Sequence, residues 1–270
     1  MPAAVAKTLR MRRFLALVGL ALLAGCTRSP SPAAQARPSL RLAVITDLKG
    51  YLEPCGCTSN PLGGIDRLAA QIERLREDAT PLAVLAAGDL YFDTEKLEPA
   101  RVDQAHRNAK TMVGILNRIG VTAITPGAAD LAQPSELRDT LRKSSDFLWL
   151  ADDASLEVAQ TTVGGTKLAL LGAREGAEVE AMRAAGLEAS KQSDVSILMV
   201  DGSRRDANKL GSASQVDFVV AGGLDQDEAV PPRPSRDAWV LHASRQGQGL
   251  TVVDVYRSGD SPGFENRSEW

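Results

Sequence analysis

From residue 40 onward, short apolar runs alternate with amphipathic stretches. LRLAVIT (40–46), LAVLAAG (82–88) and VTAITPG (121–127) have the length and apolar character of strands. Between them, GGIDRLAAQIERLRED (63–78) places Ile65, Leu68, Ala69, Ile72 and Leu75 on one face at helical spacing. A second helix is predicted over 99–120, stopping at Gly120, and a third over 133–144 with Ser135 as N-cap and cations toward its end. FLWLADD (147–153) reads as a fourth strand. EVAQTTVGGTKLALLGA (157–173) reads as a hairpin turning at Gly164-Gly165, followed by a helix carrying Val179, Met182 and Leu187. VSILMVDG (195–202) and VDFVVAGG (216–223) are two more strands, and AWVLHAS (238–244) with LTVVDVYR (250–257) is expected to form a last hairpin.

Strands that are apolar throughout have both faces covered. The alternation therefore predicts an α/β class protein, a mixed sandwich with helices outside, in a single domain. In such sheets, sites form at the C-terminal ends of strands. Those ends are Asp47, Asp89, Gly127–Asp130, Asp201 and Gly222–Asp225.

The residues before 40 do not fit this pattern. Lys7, Arg10, Arg12 and Arg13 precede the apolar run FLALVGLALLAG, which is short for a membrane span and ends at Cys26. This resembles a bacterial lipobox. It implies a signal peptide over 1–25, a lipidated Cys26, and anchoring to the cell envelope by acyl chains. Thr27, in place of Asp, points to the outer membrane, facing the periplasm. Residues 26–39 are rich in Pro, Ser and Ala and read as a tether. The domain is expected over 40–257, with a tail over 258–270. The leader holds four basic residues and no acidic one, so the mature chain carries 27 basic residues against 34 acidic and is near −7. No Lys/Arg run of the kind that nucleic-acid binding requires is present.

DLKGYLEPCGCTSNPLGGIDRLAAQIERLR, LAVLAAGDLYFDT, NAKTMVGILNRIGVTAITPGAADL, VSILMVDG and VDFVVAGGLDQ follow one another in a telling order. Together they resemble the catalytic domain of calcineurin-like metallophosphoesterases, in the bacterial 5′-nucleotidase branch. The resemblance covers residues 40–257 and implies an α/β/β/α sandwich. It also implies two metal ions held by D-x-H, G-D, G-N-H-[DE], a lone His and G-H-x-H. Such a pair clamps phosphate and activates a water.

Position by position, the histidines of that pattern are missing. Asp47 is kept, with Lys49 where His is expected. Gly88 and Asp89 are kept. Gly127 and Asp130 are kept, with Ala128 and Ala129 between them. Asp201 stands for the lone His. Gly222 is kept, with Gly223 and Asp225 at the last two His positions. The chain has only two histidines, His106, predicted on a solvated helix face, and His242, in the last hairpin. A protonated lysine offers no lone pair to a metal. Lys49 either pairs with Asp47 and Asp89 in place of the lost cation or points to solvent. An oxygen-only site of Asp47, Asp89, Asp201 and Asp225 for Mg²⁺, Mn²⁺ or Ca²⁺ is the minority alternative.

Cys55-Gly-Cys57 belongs to the loop that the resemblance covers. It reads as a structural pair or idle thiols, with a redox pair or a soft-metal site for Cu(I) or zinc as alternatives. The expectation is a membrane-anchored, non-catalytic binding or scaffolding domain. No cofactor is expected, and an unidentified protein or small molecule is the partner. The alternatives are a divergent metal-dependent phosphoester hydrolase and a thiol or copper-handling protein. The chain ends soon after the sandwich, without the nucleoside-gripping domain of 5′-nucleotidases, so nucleotide specificity is not expected.

Overall fold

The computed structural model describes residues 37–54, 62–152, 156–174, 176–224, 231–236, 238–258 and 261–269. All of these except Arg37 belong to one compact unit, Pro38–Trp270. Cys26, Cys55, Cys57 and Asp225 lie outside the described residues.

The strands are β1 (Leu40–Thr46), β2 (Leu82–Gly88), β3 (Val121–Pro126), β4 (Leu148–Trp149), β5 (Leu156–Val163), β6 (Thr166–Arg174), β7 (Val195–Asp201), β8 (Phe218–Gly222), β9 (Arg233–Ser235), β10 (Ala238–Leu241), β11 (Leu250–Ser258) and β12 (Ser261–Glu269). The helices are α1 (Ile65–Leu75), α2 (Val102–Arg118), the single turn α3 (Ala128–Leu131), α4 (Ser135–Lys143), α5 (Val179–Gln192) and α6 (Arg204–Ser214). They build two six-stranded sheets, β12-β11-β1-β2-β3-β4 and β5-β6-β7-β8-β10-β9.

The alternation of side chains along each strand separates three apolar layers. In β1, Ala43 and Ile45 face α1, α2 and α4. Leu40, Leu42 and Val44 face the second sheet. In β6, Leu168 and Leu170 join that inter-sheet layer, while Ala169, Leu171 and Ala173 pack under α5 and α6. Both faces of each central strand are covered, which explains why their sequences are apolar throughout. The result is the expected α/β/β/α sandwich.

Four local expectations change. The strand over 147–153 shrinks to β4, because Ala151 adopts φ 58° and Asp152 turns to meet Arg142 at 2.7 Å. Ser135 is the first helical residue of α4. The cap is the extended Pro134, and no side chain caps this end. The last hairpin does not form. β10 pairs in parallel with β8, whereas β11 crosses to the other sheet and pairs with β1. The crossing is tied by Thr46 Oγ1, which donates to the Ala243 carbonyl at 2.8 Å. The residues expected as a tail supply β12, which pairs with β11 from Ser258↔Ser261 to Leu250↔Glu269. β11 has a free outer edge, and a strand directly after it satisfies those backbone groups.

α6 was not predicted. Its signal is a capping box: Ser203 Oγ accepts from the Asp206 N–H while the Asp206 side chain accepts from the Ser203 N–H.

Candidate functional site

The ends of β1, β2, β3, β7 and β8 converge, and glycines make the convergence possible. A Cβ on Gly222 would lie 2.2 Å from the Gly88 nitrogen, so the two sheets touch backbone to backbone. A Cβ on Gly88 would lie 2.2 Å from Asp47 Oδ1, and one on Gly127 would lie 2.3 Å from Asp89 Oδ1. The glycines of the strand-end motifs are thus required by close approach.

Asp47 follows β1 with φ 51° and is buried. Its Oδ1 accepts from the Gly223 N–H at 2.9 Å and from the Asp89 N–H at 3.3 Å. Burial pushes this carboxyl up to about 6. The Gly223 hydrogen bond opposes that rise, the Asp89 charge adds to it, and the Lys49 charge opposes it. Asp89 is half-buried, and its Oδ1 accepts from the Ala129 N–H at 2.8 Å. Asp130 turns away from this pair. Its oxygens accept from Leu90, Tyr91 and Phe92 N–H groups at 2.8, 2.9 and 3.1 Å. Burial raises its pKa against those three donors. Asp130 therefore organises the loop after β2.

Lys49 is half-buried with φ 53°. Its N–H donates to the Asp89 carbonyl at 2.9 Å, and its charge favours the ionised form of Asp47. Its ammonium thus acts on Asp47 through its charge. Lys49 also lines a cavity of about 630 Å³ with Tyr51, Phe92, Arg101, Gln104 and Asn108. Asp201 is half-buried at the end of β7, and a Cβ on Gly223 would lie 2.9 Å from its Oδ1. Asp47 and Asp201 therefore flank the same residue. Ala129 is buried, and Ala128 is exposed. Among the described residues, no group of three or more His, Cys, Asp or Glu side chains is arranged to hold a metal.

Neither histidine approaches the carboxylates through a hydrogen bond that the structure records. His106 is half-buried rather than solvated, edge-on to Phe92 with ring centroids 6.2 Å apart. His242 is buried, and its Nδ1 has no partner. Burial, and then the charges of Arg204 and Arg233, lower its pKa to about 4. Its place beside β8, and the cavity residues of α2, left no mark in the sequence. Arg101, Gln104 and Asn108 fall in the stretch 99–120 that was predicted only as a helix.

No family model matches the chain, and no curated relative does. Solved structures do match. A 5′-nucleotidase precursor of Thermus thermophilus superposes with a TM-score of 0.68 at 18% identity, over 85% of this chain and 54% of the other. The calcineurin-like phosphoesterase YfkN of Bacillus subtilis gives 0.61 at 15%, over 85% of this chain and 90% of the other. The chain has the calcineurin-like metallophosphoesterase fold. The sulfate thiohydrolase SoxB of Thermus thermophilus shares that fold, with a TM-score of 0.67 at 16% identity over 86% of this chain and 56% of SoxB. The chain thus spans about half the length of two of these structures. At these identities the likeness concerns the metallophosphoesterase fold alone.

Proposed function

We propose that this chain is a lipid-anchored envelope protein whose metallophosphoesterase-fold domain is non-catalytic and serves in binding or scaffolding. The observation that carries this reading is where the carboxylate oxygens go. Asp47, Asp89 and Asp130 accept from backbone N–H groups of Gly223, Ala129 and Leu90 to Phe92. Those bonds hold the loops together, and Asp130 directs both of its oxygens to backbone donors rather than toward the other acids.

The residues do not fit the dimetal centre that the fold family implies. Ala128, Ala129 and Gly223 offer no side-chain donor, and Lys49 brings an ammonium to the position of a dication. With no histidine at the motif positions, the general acid near a leaving group is missing too. The cavity beside Lys49 supplies the place for a bound molecule.

Metal analysis of the purified full-length protein, with 5′-nucleotide and phosphodiester assays in added Mn²⁺, tests this reading. We expect no tightly held transition metal and no turnover above background. Lys49→His alone should leave both unchanged, since positions 128 and 129 still offer no ligand. Two metals per chain, or turnover abolished by Asp89→Asn, would overturn it. One observation favours the divergent hydrolase as the second reading: Asp47 and Asp201 both lie against Gly223. Asp47, Asp89, Asp201 and Asp225 are then the oxygen ligands to replace.

The anchoring part rests on the sequence around Cys26 and has its own test. Cys26→Ser should abolish acyl labelling and release the protein from the outer-membrane fraction. Unchanged labelling would refute the anchor without touching the non-catalytic reading.

A further inference from the structure

The two sheets present four edge strands among the described residues: β12 and β4 in one, β5 and β9 in the other. An open edge carries a row of unpaired N–H and C=O groups. Folded proteins protect such rows with proline, charge or shortness. Three of these edges are protected in that way. β4 is two residues long. β9 is three residues long, with Pro234 at its centre beside Arg233. β12 contains Pro262, which has no N–H to offer an approaching strand.

β5 lacks all of these devices. Its eight residues, LEVAQTTV, include no proline, glycine or basic residue, and Glu157 is its one charge. It pairs with β6 from Leu156↔Ala173 to Val163↔Thr166 without a register shift, so no bulge bends the edge away. Val158 is 47% exposed on it. Every second residue of such a strand turns its backbone groups outward, where no further strand pairs with it among the described residues.

We propose that a second copy of this chain fills that place, its β5 running antiparallel to this one across a two-fold axis. The two six-stranded sheets then form one continuous sheet. A two-fold axis normal to the sheet sets residues of like parity opposite each other, so every side chain keeps its own face. Centred on Gln160, this register sets Val158 opposite Thr162 of the second copy and Ala159 opposite its Thr161. The two Gln160 residues meet at the axis, each side-chain nitrogen donating to Gln192 Oε1 of its own chain at 2.9 Å. β-branched and hydroxyl side chains thus pair across the junction, as stable cross-strand neighbours do. The two Glu157 residues stand roughly 20 Å apart along the paired strands. That exceeds the screening distance of about 8 Å at physiological salt. The strand is its own complement, with no charge set against a like charge. This inference is independent of the reading of the carboxylate site and of Cys26.

The test uses the full-length chain in detergent. Opposed residues at the axis have Cα atoms about 4.5–5.5 Å apart, within the span that a disulfide bridges. Gln160→Cys should therefore give a covalent dimer on mild oxidation, with wild type oxidised alongside as control for the native cysteines. Light scattering should find two chains per particle in wild type. It should find one in Val158→Lys combined with Gln160→Lys, whose far-UV circular dichroism should be unchanged. Wild type with one chain per particle, no crosslink through Cys at 160, or a dimer that survives both lysines would overturn the proposal. A different protein on this edge of an otherwise single chain would overturn it equally. Should the lysine variant fail to fold, the crosslink decides alone.

Discussion

The two ends of β1 bury charge in opposite ways. At its start, Arg41 is enclosed and fully paired. Its Nε and Nη2 meet the two oxygens of Asp254 at 2.5 and 3.0 Å. Its Nη1 meets Asp78 at 2.8 Å and the Leu75 carbonyl at 3.1 Å. Just past the other end, the buried Asp47 has no guanidinium. It rests on two backbone N–H groups, with a second carboxylate, Asp89, beside it. The first arrangement ties β11 and the end of α1 to β1. The second holds a carboxyl up at about 6, a tension that folding alone does not require. Perturbed acids of this kind gather where a site is or once was.

The largest expected effect tests the first end. Arg41→Met should destabilise the protein by about 3–5 kcal/mol, because Asp254 is left buried and unpaired. Adding Asp254→Leu should recover most of that loss in urea unfolding. If the single variant is as stable as wild type, the pair is not what joins β11 to β1.

The second prediction has the opposite sign. The carboxyl of Asp47 lies higher in the folded protein, at about 6, than the ~3.9 of an unfolded chain. The folded state therefore holds a proton there more tightly. Stability from this group is present at low pH and is lost as pH rises through about 6. Asp47→Asn escapes the loss and still accepts from Gly223. It should raise stability at neutral pH by up to about 3 kcal/mol and change little below pH ~4. A stability-against-pH series with no difference between the two would refute the tension at this site. The two ends lie roughly 20 Å apart along the strand, so Arg41→Met and Asp47→Asn should add within about 0.5 kcal/mol.

The smallest effect belongs to Asp78, the exposed partner of Arg41. Its pKa is lowered to about 2, first by the Thr80 N–H and then, against burial, by Arg41. Its stabilisation is present above the unfolded pKa and is lost as pH falls through about 2. Water screens the pair, so Asp78→Asn should cost less than about 1 kcal/mol in the same unfolding assay. A larger loss would mean that Arg41 depends on both acids.

The strand ends were legible because periodicity locates them. An apolar run that stops at Asp47, Asp89 or Asp201 marks where a covered strand leaves the core. That pattern depends only on which residues water excludes. The glycines at 88, 127 and 222 were legible as motif positions, but their reason was not. That reason is the contact between backbones of two sheets, remote in sequence. Asp130 read as the kept acid of its motif, yet it faces the amides of Leu90 to Phe92.

By itself, the sequence determined the layers: which runs are covered on both faces, which helices carry one apolar stripe, and where charged side chains stop each strand. Those properties are local, since each residue's hydropathy and its spacing from the next decide them. Only the tertiary structure decided which strands are neighbours. β10 and β11 look like a hairpin because they are close in sequence and alike in composition. They part because β8 offers β10 a parallel edge and β1 offers β11 an antiparallel one. Pairing energy depends on backbone groups that every residue carries alike, so composition cannot name the partner. For the same reason, Asp47 and Gly223, 176 residues apart, become one contact only when the two sheets close on each other.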